Sequence, residues 1–287
     1  MEISNCEISW EQGKDDDVVI VKIEKIGEWL QDFLMISDAH FDSPYCDRVL
    51  LKALLDDAVR RNAGIFIWGD WYDAMQSKED RRRDKDELEE DYKVSFYVDR
   101  LVERSAEFLY PYREHIILVA EGNHDTAIKK HLESDIVARL CRELGAMHMG
   151  YSCYVSFMFR DRVTGAHRYS KDMYYHHGAG GGAMVTKGTM RAQRERSDFV
   201  ADIYVGGHIH EDWRLFGTRT QLTGSKKIVT YDTLHCCMPT LKNEWKPRGG
   251  FHVEKGRSPR PIGAMTLRFF HNSRKYDNIA FDAMRAD

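Results

Sequence analysis

The sequence predicts an α/β fold, on three observations. Five short apolar runs, Phe33-Leu34-Met35-Ile36, Ile65-Phe66-Ile67-Trp68, Ile116-Ile117-Leu118-Val119, Met173-Tyr174-Tyr175 and Ile203-Tyr204-Val205, have strand length and no helical period, as expected of strands buried on both faces. Segments of helical spacing separate the first three. A polar motif lies just past each run, with at most two residues between: Asp38-Ala39-His40, Gly69-Asp70, Gly122-Asn123-His124-Asp125, His176-His177-Gly178 and Gly207-His208-Ile209-His210. In open α/β sheets the carboxyl edge of the strands is where ligands bind.

The remaining elements follow in chain order. Val18 to Ile26 alternates enough for an edge strand ahead of the core. Ser43-Pro44 reads as an N-cap with proline at the first helical position, opening a helix to about Arg61 with Val49, Leu50, Ala53, Leu54 and Ala58 on one side. An insertion at about 74–110 starts with a charged run, Lys78 to Lys93, whose six basic and eight acidic residues suit a solvated helix. Phe96, Val98, Leu101, Val102, Phe108 and Leu109 continue it with a stickier face, fit for core packing, a lid or a homodimer surface. One helix is expected over Ala127 to Leu144, ended by Gly145. Tyr151 to Arg160 and Ile262 to Phe270 read as strands, the latter completing a second sheet. Between them, 241–261 is a loop with an excess of base: Lys242, Lys246, Arg248, Lys255, Arg257 and Arg260 against Glu244 and Glu254.

Composition narrows the function classes. With 287 residues, 43% of them hydrophobic, the chain can bury one large core, and a single domain spanning 1–287 is expected. No apolar run of about 18 residues exists to span a membrane. The acidic start (Glu2, Glu7, Glu11, Asp15, Asp16, Asp17) lacks the basic-then-apolar order of a signal peptide, and six cysteines without a Cys-x-x-Cys pattern suit reduced thiols, so a cytoplasmic protein is expected. A net charge of −4 gives no general attraction to nucleic acid.

Two of the motifs' three Asp, Asp38 and Asp70, with one Asn and several His are the oxygen and nitrogen donors that hold two divalent metals side by side. Asp-x-His and Gly-Asp are common by chance. Gly-Asn-His-Asp is not, arising on the order of once per thousand chains of this length. His176 and His177 are neighbours whose side chains point to opposite sides of a strand, so only one can face the metals.

In this order the motifs resemble the calcineurin-like metallophosphoesterases, over Asp38 to His210, and the stretch from His177-Gly178 to Lys187-Gly188 resembles phage and prophage members. The resemblance implies two packed mixed β-sheets flanked by helices with a dinuclear metal site at the sheet edge. Carried over by position, Asp38, His40 and His210 would hold one metal, Asn123, His208 and His177 the other, and Asp70 would bridge both. The ligand is expected directly before glycine, hence His177, with His176 a packing or supporting residue. His124 would lie beside the metals without ligating them.

The implied chemistry is attack of a metal-bridging hydroxide on a phosphodiester, with His124 protonating the leaving oxygen as general acid. Asp73 is expected to support a ligand or His124. Asp125 either orients the His124 ring or caps the following helix. Gly180 and Gly181 with Lys187 and Arg191 form either a phosphate-contacting loop leading into a basic helix or a plain connector. Two basic segments, 187–196 and 242–260, with Trp245 and Phe251 interleaved, favour DNA, RNA or a nucleotide as substrate. A phosphomonoesterase or small-molecule pyrophosphohydrolase is the alternative, and a non-catalytic scaffold ranks below both. A protein Ser/Thr phosphatase fits poorly, because Gly69-Asp70 is followed by Trp71-Tyr72-Asp73-Ala74 where that branch carries Asp-Arg-Gly. Manganese is the first expected metal, with iron, zinc or nickel accepted by such donors.

Overall fold

The computed structural model describes residues 6–74, 89–180, 185–245, 253, 256, 258–275 and 277–286. Its strands form two mixed sheets. The six-stranded sheet runs β13-β12-β3-β4-β5-β6, with β3 (Leu30–Ile36), β4 (Gly64–Trp68), β5 (Ile116–Ala120) and β6 (Met147–Met149) parallel, and β12 (Ala264–His271) and β13 (Ile279–Ala286) added antiparallel beyond β3. The seven-stranded sheet runs β1-β2-β7-β8-β9-β11-β10: β1 (Glu7–Gln12), β2 (Val18–Lys25), β7 (Ser152–Asp161), β8 (His167–His176), β9 (Ile203–Gly206), β11 (Ile228–Cys237) and β10 (Trp213–Leu222).

Side-chain alternation makes two cores from one sheet. Phe33, Met35, Phe66 and Trp68 face the seven-stranded sheet and pack on Phe157 and Tyr175, the Trp68 and Tyr175 rings stacking at 4.4 Å. Leu34, Ile36, Ile65 and Ile67 point the other way, onto helices α1 (Arg48–Arg60), α2 (Tyr97–Leu109) and α4 (Ile136–Leu144). Helix α5 (Thr189–Asp198) lies against the other sheet, where Arg191 bonds His176. Thus strands of both sheets end at one edge.

Several expectations change. Val18–Lys25 is not the edge strand; β1 pairs outside it and the parallel neighbour β7 lies inside. Helix α1 starts at Arg48, because the Asp47 carboxylate accepts from Leu50 N at 3.0 Å and caps it, while Ser43-Pro44 shape the turn before. Its buried face is Leu51, Leu54, Leu55 and Ala58, with Val49 on the solvent side. The helix expected over Ala127–Leu144 is two, α3 (Asn123–Leu132) and α4. Glu133 takes a left-handed φ of 52° and Asp135 recaps the chain, accepting from Ala138 N. Gly145 does end α4. The strand β12 joins the sheet of β3 rather than completing the second one. Most of the charged run, 78–88, lies outside the described residues; its end forms one 3-10 turn at Glu90–Tyr92. Of the sticky face, Leu101, Val102 and Leu109 are buried in the helix-side core while Phe96 is exposed.

Candidate metal centre

The six-stranded sheet supplies Asp38 and His40 after β3, Asp70 after β4, and Asn123 and His124 after β5. The seven-stranded sheet supplies His177 after β8 and His208 and His210 after β9. The loops approach so closely that only glycine fits at two positions. A Cβ on Gly122 would lie 2.1 Å from Asp70 Oδ1, and one on Gly207 would lie 2.1 Å from Ser37 Oγ. Asp38, His40, Asp70, His208 and His210 all take left-handed φ values, between 46° and 68°. Such conformations cost non-glycine residues on the order of 1 kcal/mol or more, and clusters of them mark functional sites.

The donor atoms converge in overlapping sets. Ligand atoms of Asp38, His40 and His210 lie within 4.8 Å of one another, as do those of Asp70, His177 and His208, and those of His40, Asp70 and His124. His210 Nε2 is 3.2 Å from Asp38 Oδ1, and His177 Nε2 is 3.2 Å from Asp70 Oδ2. One terminal atom of the Asn123 amide sits 2.6 Å from His208 Nδ1, 3.1 Å from Asp70 Oδ2 and 3.3 Å from His177 Nε2. With oxygen there, four lone-pair donors meet at one point, the arrangement a divalent cation fills; with nitrogen there, the amide hydrogen-bonds to its neighbours. His40 Nε2 is buried without a hydrogen-bond partner among the described residues. The donors are the hard oxygens and imidazoles that suit first-row divalent metals. His177, not His176, turns into this cluster: His177 is fully buried beside Asp70, whereas His176 Nδ1 and its carbonyl both meet the Arg191 guanidinium at 2.9 Å.

Electrostatics follow from the crowding. Burial would raise the Asp38 carboxyl, but His210 and His177 outweigh it and hold it at about 2. Burial likewise opposes ionisation of Asp70, and His177 and His124 override it, leaving it well below the usual carboxylate range. Burial would lower His177, yet Asp70 and Asp38 hold it up to about 9. A cation between these groups would take over the role of the His177 proton.

His124 stands apart from the other histidines. Its Nδ1 donates to the Asp73 backbone carbonyl at 2.7 Å, and its backbone N–H donates to Asp70 Oδ1 at 2.8 Å. A carbonyl can only accept, so Nδ1 carries the proton and Nε2, 4.0 Å from Asp70 Oδ2, is the atom free to gain or lose one. The Asp73 carboxylate faces His40 Nδ1 at 2.9 Å, with His124 Nδ1 farther off at 3.6 Å. Asp125 does not reach the His124 ring; it accepts from Gly122 N at 2.8 Å and Tyr72 N at 3.3 Å, the capping role. Burial and the neighbouring Asp70 charge push it up to about 8.

The expected substrate-binding residues are placed differently. Gly180 takes φ 74° in open space, and Gly181 lies outside the described residues. Lys187 Nζ is 3.4 Å from Glu211, and Arg191 Nε is 2.6 Å from Glu195 while its NH2 holds His176, so both bases already carry acidic partners. Of the basic loop, 246–252, 254, 255 and 257 lie outside the described residues, including Lys246, Arg248, Phe251, Lys255 and Arg257. Lys242 is not on the surface but buried against Asp73, and Arg260 pairs with Glu211. An open cavity of about 540 Å³ beside Asn123 runs along α3 past Thr126 to Lys129, Lys130 and His131.

Sequence reasoning passed over several supporting groups. Ser37 Oγ lies 2.5 Å from Asp38 Oδ2 and 2.7 Å from the Trp68 carbonyl. The Asp42 carboxylate accepts from Asp73 N, Ala74 N and the Tyr97 hydroxyl, tying the loop after β4 to α2. Ser37 and Asp42 flank a motif, a weak local signal; nothing in the sequence pairs Lys242 with Asp73, 169 residues away.

Motif order, two-sheet architecture and converging donors now stand together. The chain resembles the calcineurin-like metallophosphoesterases. No protein-family model matches it, and no curated protein does. Solved structures similar to it include a predicted phosphoesterase from Streptococcus pneumoniae (14% identity, TM-score 0.33, covering 91% of this chain and 100% of that one). A Thermotoga maritima protein matches at 13% identity and TM-score 0.35, over 89% of this chain and 99% of that one. Vps29 from Entamoeba histolytica, solved with Zn2+, matches at 10% identity and TM-score 0.35 over the same shares. At these TM-scores the reading of the site rests on its own side chains. Among the described residues, no helix is long and apolar enough to cross a membrane.

Proposed function

We propose that the chain is a dinuclear metal-dependent phosphoesterase that hydrolyses a phosphodiester of a nucleotide or nucleic acid. One observation carries this reading: Asp70, His177 and His208 each place a donor atom within 3.3 Å of one Asn123 amide atom, beside the Asp38, His40 and His210 set. When bound, a pair of divalent metals supplies Lewis acidity toward the phosphate oxygens and deprotonates water near neutral pH. Asp70 belongs to two of the three converging sets, which suits a carboxylate shared by both metals.

The remaining steps belong to the protein. His124, held through Nδ1 by the Asp73 carbonyl, turns Nε2 toward the site as the atom that passes a proton to the departing alkoxide as the P–O bond breaks. Asp125 holds the Gly122 loop and Asp73 holds the His40 ring, so neither exchanges protons with substrate. The open cavity beside Asn123 gives the substrate room next to Lys130, while Lys129 on the same wall is paired with Glu121 and Asp135. Manganese is the first metal to supply, with iron, zinc and nickel suited to the same donors.

A small-molecule substrate is the second reading, and the pairing of Lys187, Arg191 and Arg260 with Glu211 and Glu195 favours it over a long polymer. Both are tested by one panel, run first with manganese and then with iron, zinc and nickel: bis-p-nitrophenyl phosphate, p-nitrophenyl phosphate, cyclic nucleotides, and single- and double-stranded DNA and RNA. Turnover of the diester above the monoester supports the proposal. A preference for the monoester replaces it with a phosphomonoesterase, and no turnover of any ester with any of the four metals removes it.

A further inference from the structure

Lys242 follows β11 and is only 5% exposed. Its ammonium lies 3.0 Å from both Asp73 oxygens and 2.8 Å from Glu244 Oε1. The backbone on either side is clamped to the loop that carries Asp38 and His40. Leu241 N and Thr240 Oγ1 both donate to the Asp38 carbonyl, at 3.2 and 2.7 Å, and Asn243 N donates to the Tyr45 carbonyl at 2.9 Å. A buried ammonium is a poor way to stabilise a fold, since an apolar side chain of similar volume often does as well or better. Its presence therefore calls for another role. Asp73 has two imidazoles in reach, His40 Nδ1 at 2.9 Å and His124 Nδ1 at 3.6 Å. An ammonium bonded to both oxygens leaves the carboxylate no freedom to choose between them.

We propose that Lys242 is a positioning residue for the metal ligand His40. By gripping both oxygens of Asp73 it keeps that carboxylate on His40 Nδ1, so that His40 presents Nε2 to the metal, and keeps it off His124. The inference rests on the reading of His40 as a ligand.

The test is isothermal titration of Mn2+ into the full-length chain after chelator treatment, for wild type, Lys242→Met, Lys242→Arg, Asp73→Asn and Lys242→Met/Asp73→Asn. Acting through Asp73, Lys242→Met weakens Mn2+ binding about 10- to 100-fold, the range found when a partner of a metal-bound histidine is lost. In the Asp73→Asn background the same change has no further effect. Lys242→Arg, which keeps the charge and the donors, binds Mn2+ more tightly than Lys242→Met; a packing role alone predicts the reverse. Additive losses across the cycle, or wild-type affinity in Lys242→Met, overturn the proposal. If Lys242→Met alone does not fold, the double variant, which removes both charges of the pair, is compared with Asp73→Asn. A wild-type chain that binds no Mn2+ overturns the metal-centre reading itself, a result distinct from the failure of Lys242 to influence it.

Discussion

His124 differs from its neighbours in what its ring already holds, a backbone carbonyl at Nδ1, and that separates its expected phenotype from theirs. His124→Ala should lower turnover by about 10²–10⁴-fold, as for a lost general acid, with metal content near wild type by elemental analysis. The deficit should shrink for p-nitrophenolate esters, whose leaving group needs little protonation; an equal deficit for poor leaving groups would assign His124 to phosphate binding. Asp70→Asn should abolish turnover while circular dichroism stays native, because the carboxylate faces both ligand sets; ready turnover at saturating manganese would contradict a shared carboxylate. Several shifted groups set the pH behaviour of the metal-stripped chain, among them Asp125, pushed up to about 8, whose contribution is lost as pH rises from 3.8 through 8. His177, held at about 9 against an ordinary 6.5, stabilises the fold fully below pH 6.5 and loses that contribution as pH rises through 9. Asp38, held at about 2 against 3.8, contributes above pH 3.8 and loses it as pH falls toward 2. Calorimetry of the stripped chain should show the melting temperature falling between pH 6.5 and 9, and saturating manganese should reduce that fall by replacing the His177 proton, leaving the share due to Asp125.

At the scale of elements, the break between α3 and α4 depends on Asp135, whose carboxylate accepts from Ala138 N at 2.9 Å. Asp135→Ala should cost about 1 kcal/mol in urea unfolding, as for a lost N-cap, and leave ester turnover near wild type. That break is hidden in the sequence because Ile128, Ile136, Val137 and Leu140 keep a helical rhythm across Glu133-Ser134-Asp135, where the left-handed Glu133 and the non-helical cap Asp135 interrupt it. Of the strands that carry the motifs, β4, β5 and β9 are legible because they are apolar on both faces, whereas β3 and β8 are legible only in their last apolar residues, 33–36 and 173–175. The edge strand β1, Glu7–Gln12, is mostly polar and exposed, so its own residues carry little signal. The donors of the site could be read from their motifs. Their support could not, since Lys242 and Asp42 act across long sequence separations and look, in sequence, like surface charges.

On the scale of the whole molecule, the donor set draws on both sheets: Asp38, His40, Asp70 and Asn123 from one, His177, His208 and His210 from the other. Elsewhere the sheets meet mainly through apolar contact, with Phe33, Phe157 and Phe269 packed ring to ring through the middle, and through polar links at the β12–β13 side, where Arg214 donates to the Ala283 carbonyl at 3.0 Å and Lys171 pairs with Asp277 at 2.6 Å. Bound cations would therefore act as a rivet through one end of a laminate. Drawing the rivet with a chelator should let that end gape while the far end, closed by Trp29 against Phe159, stays shut. Hydrogen exchange should then quicken at Val205, Gly206 and Trp68 and hold steady at Val21 and Phe159. Uniform quickening across both sheets would mean instead that the ions brace the fold globally, and no change would mean that the sheets need no fastening there.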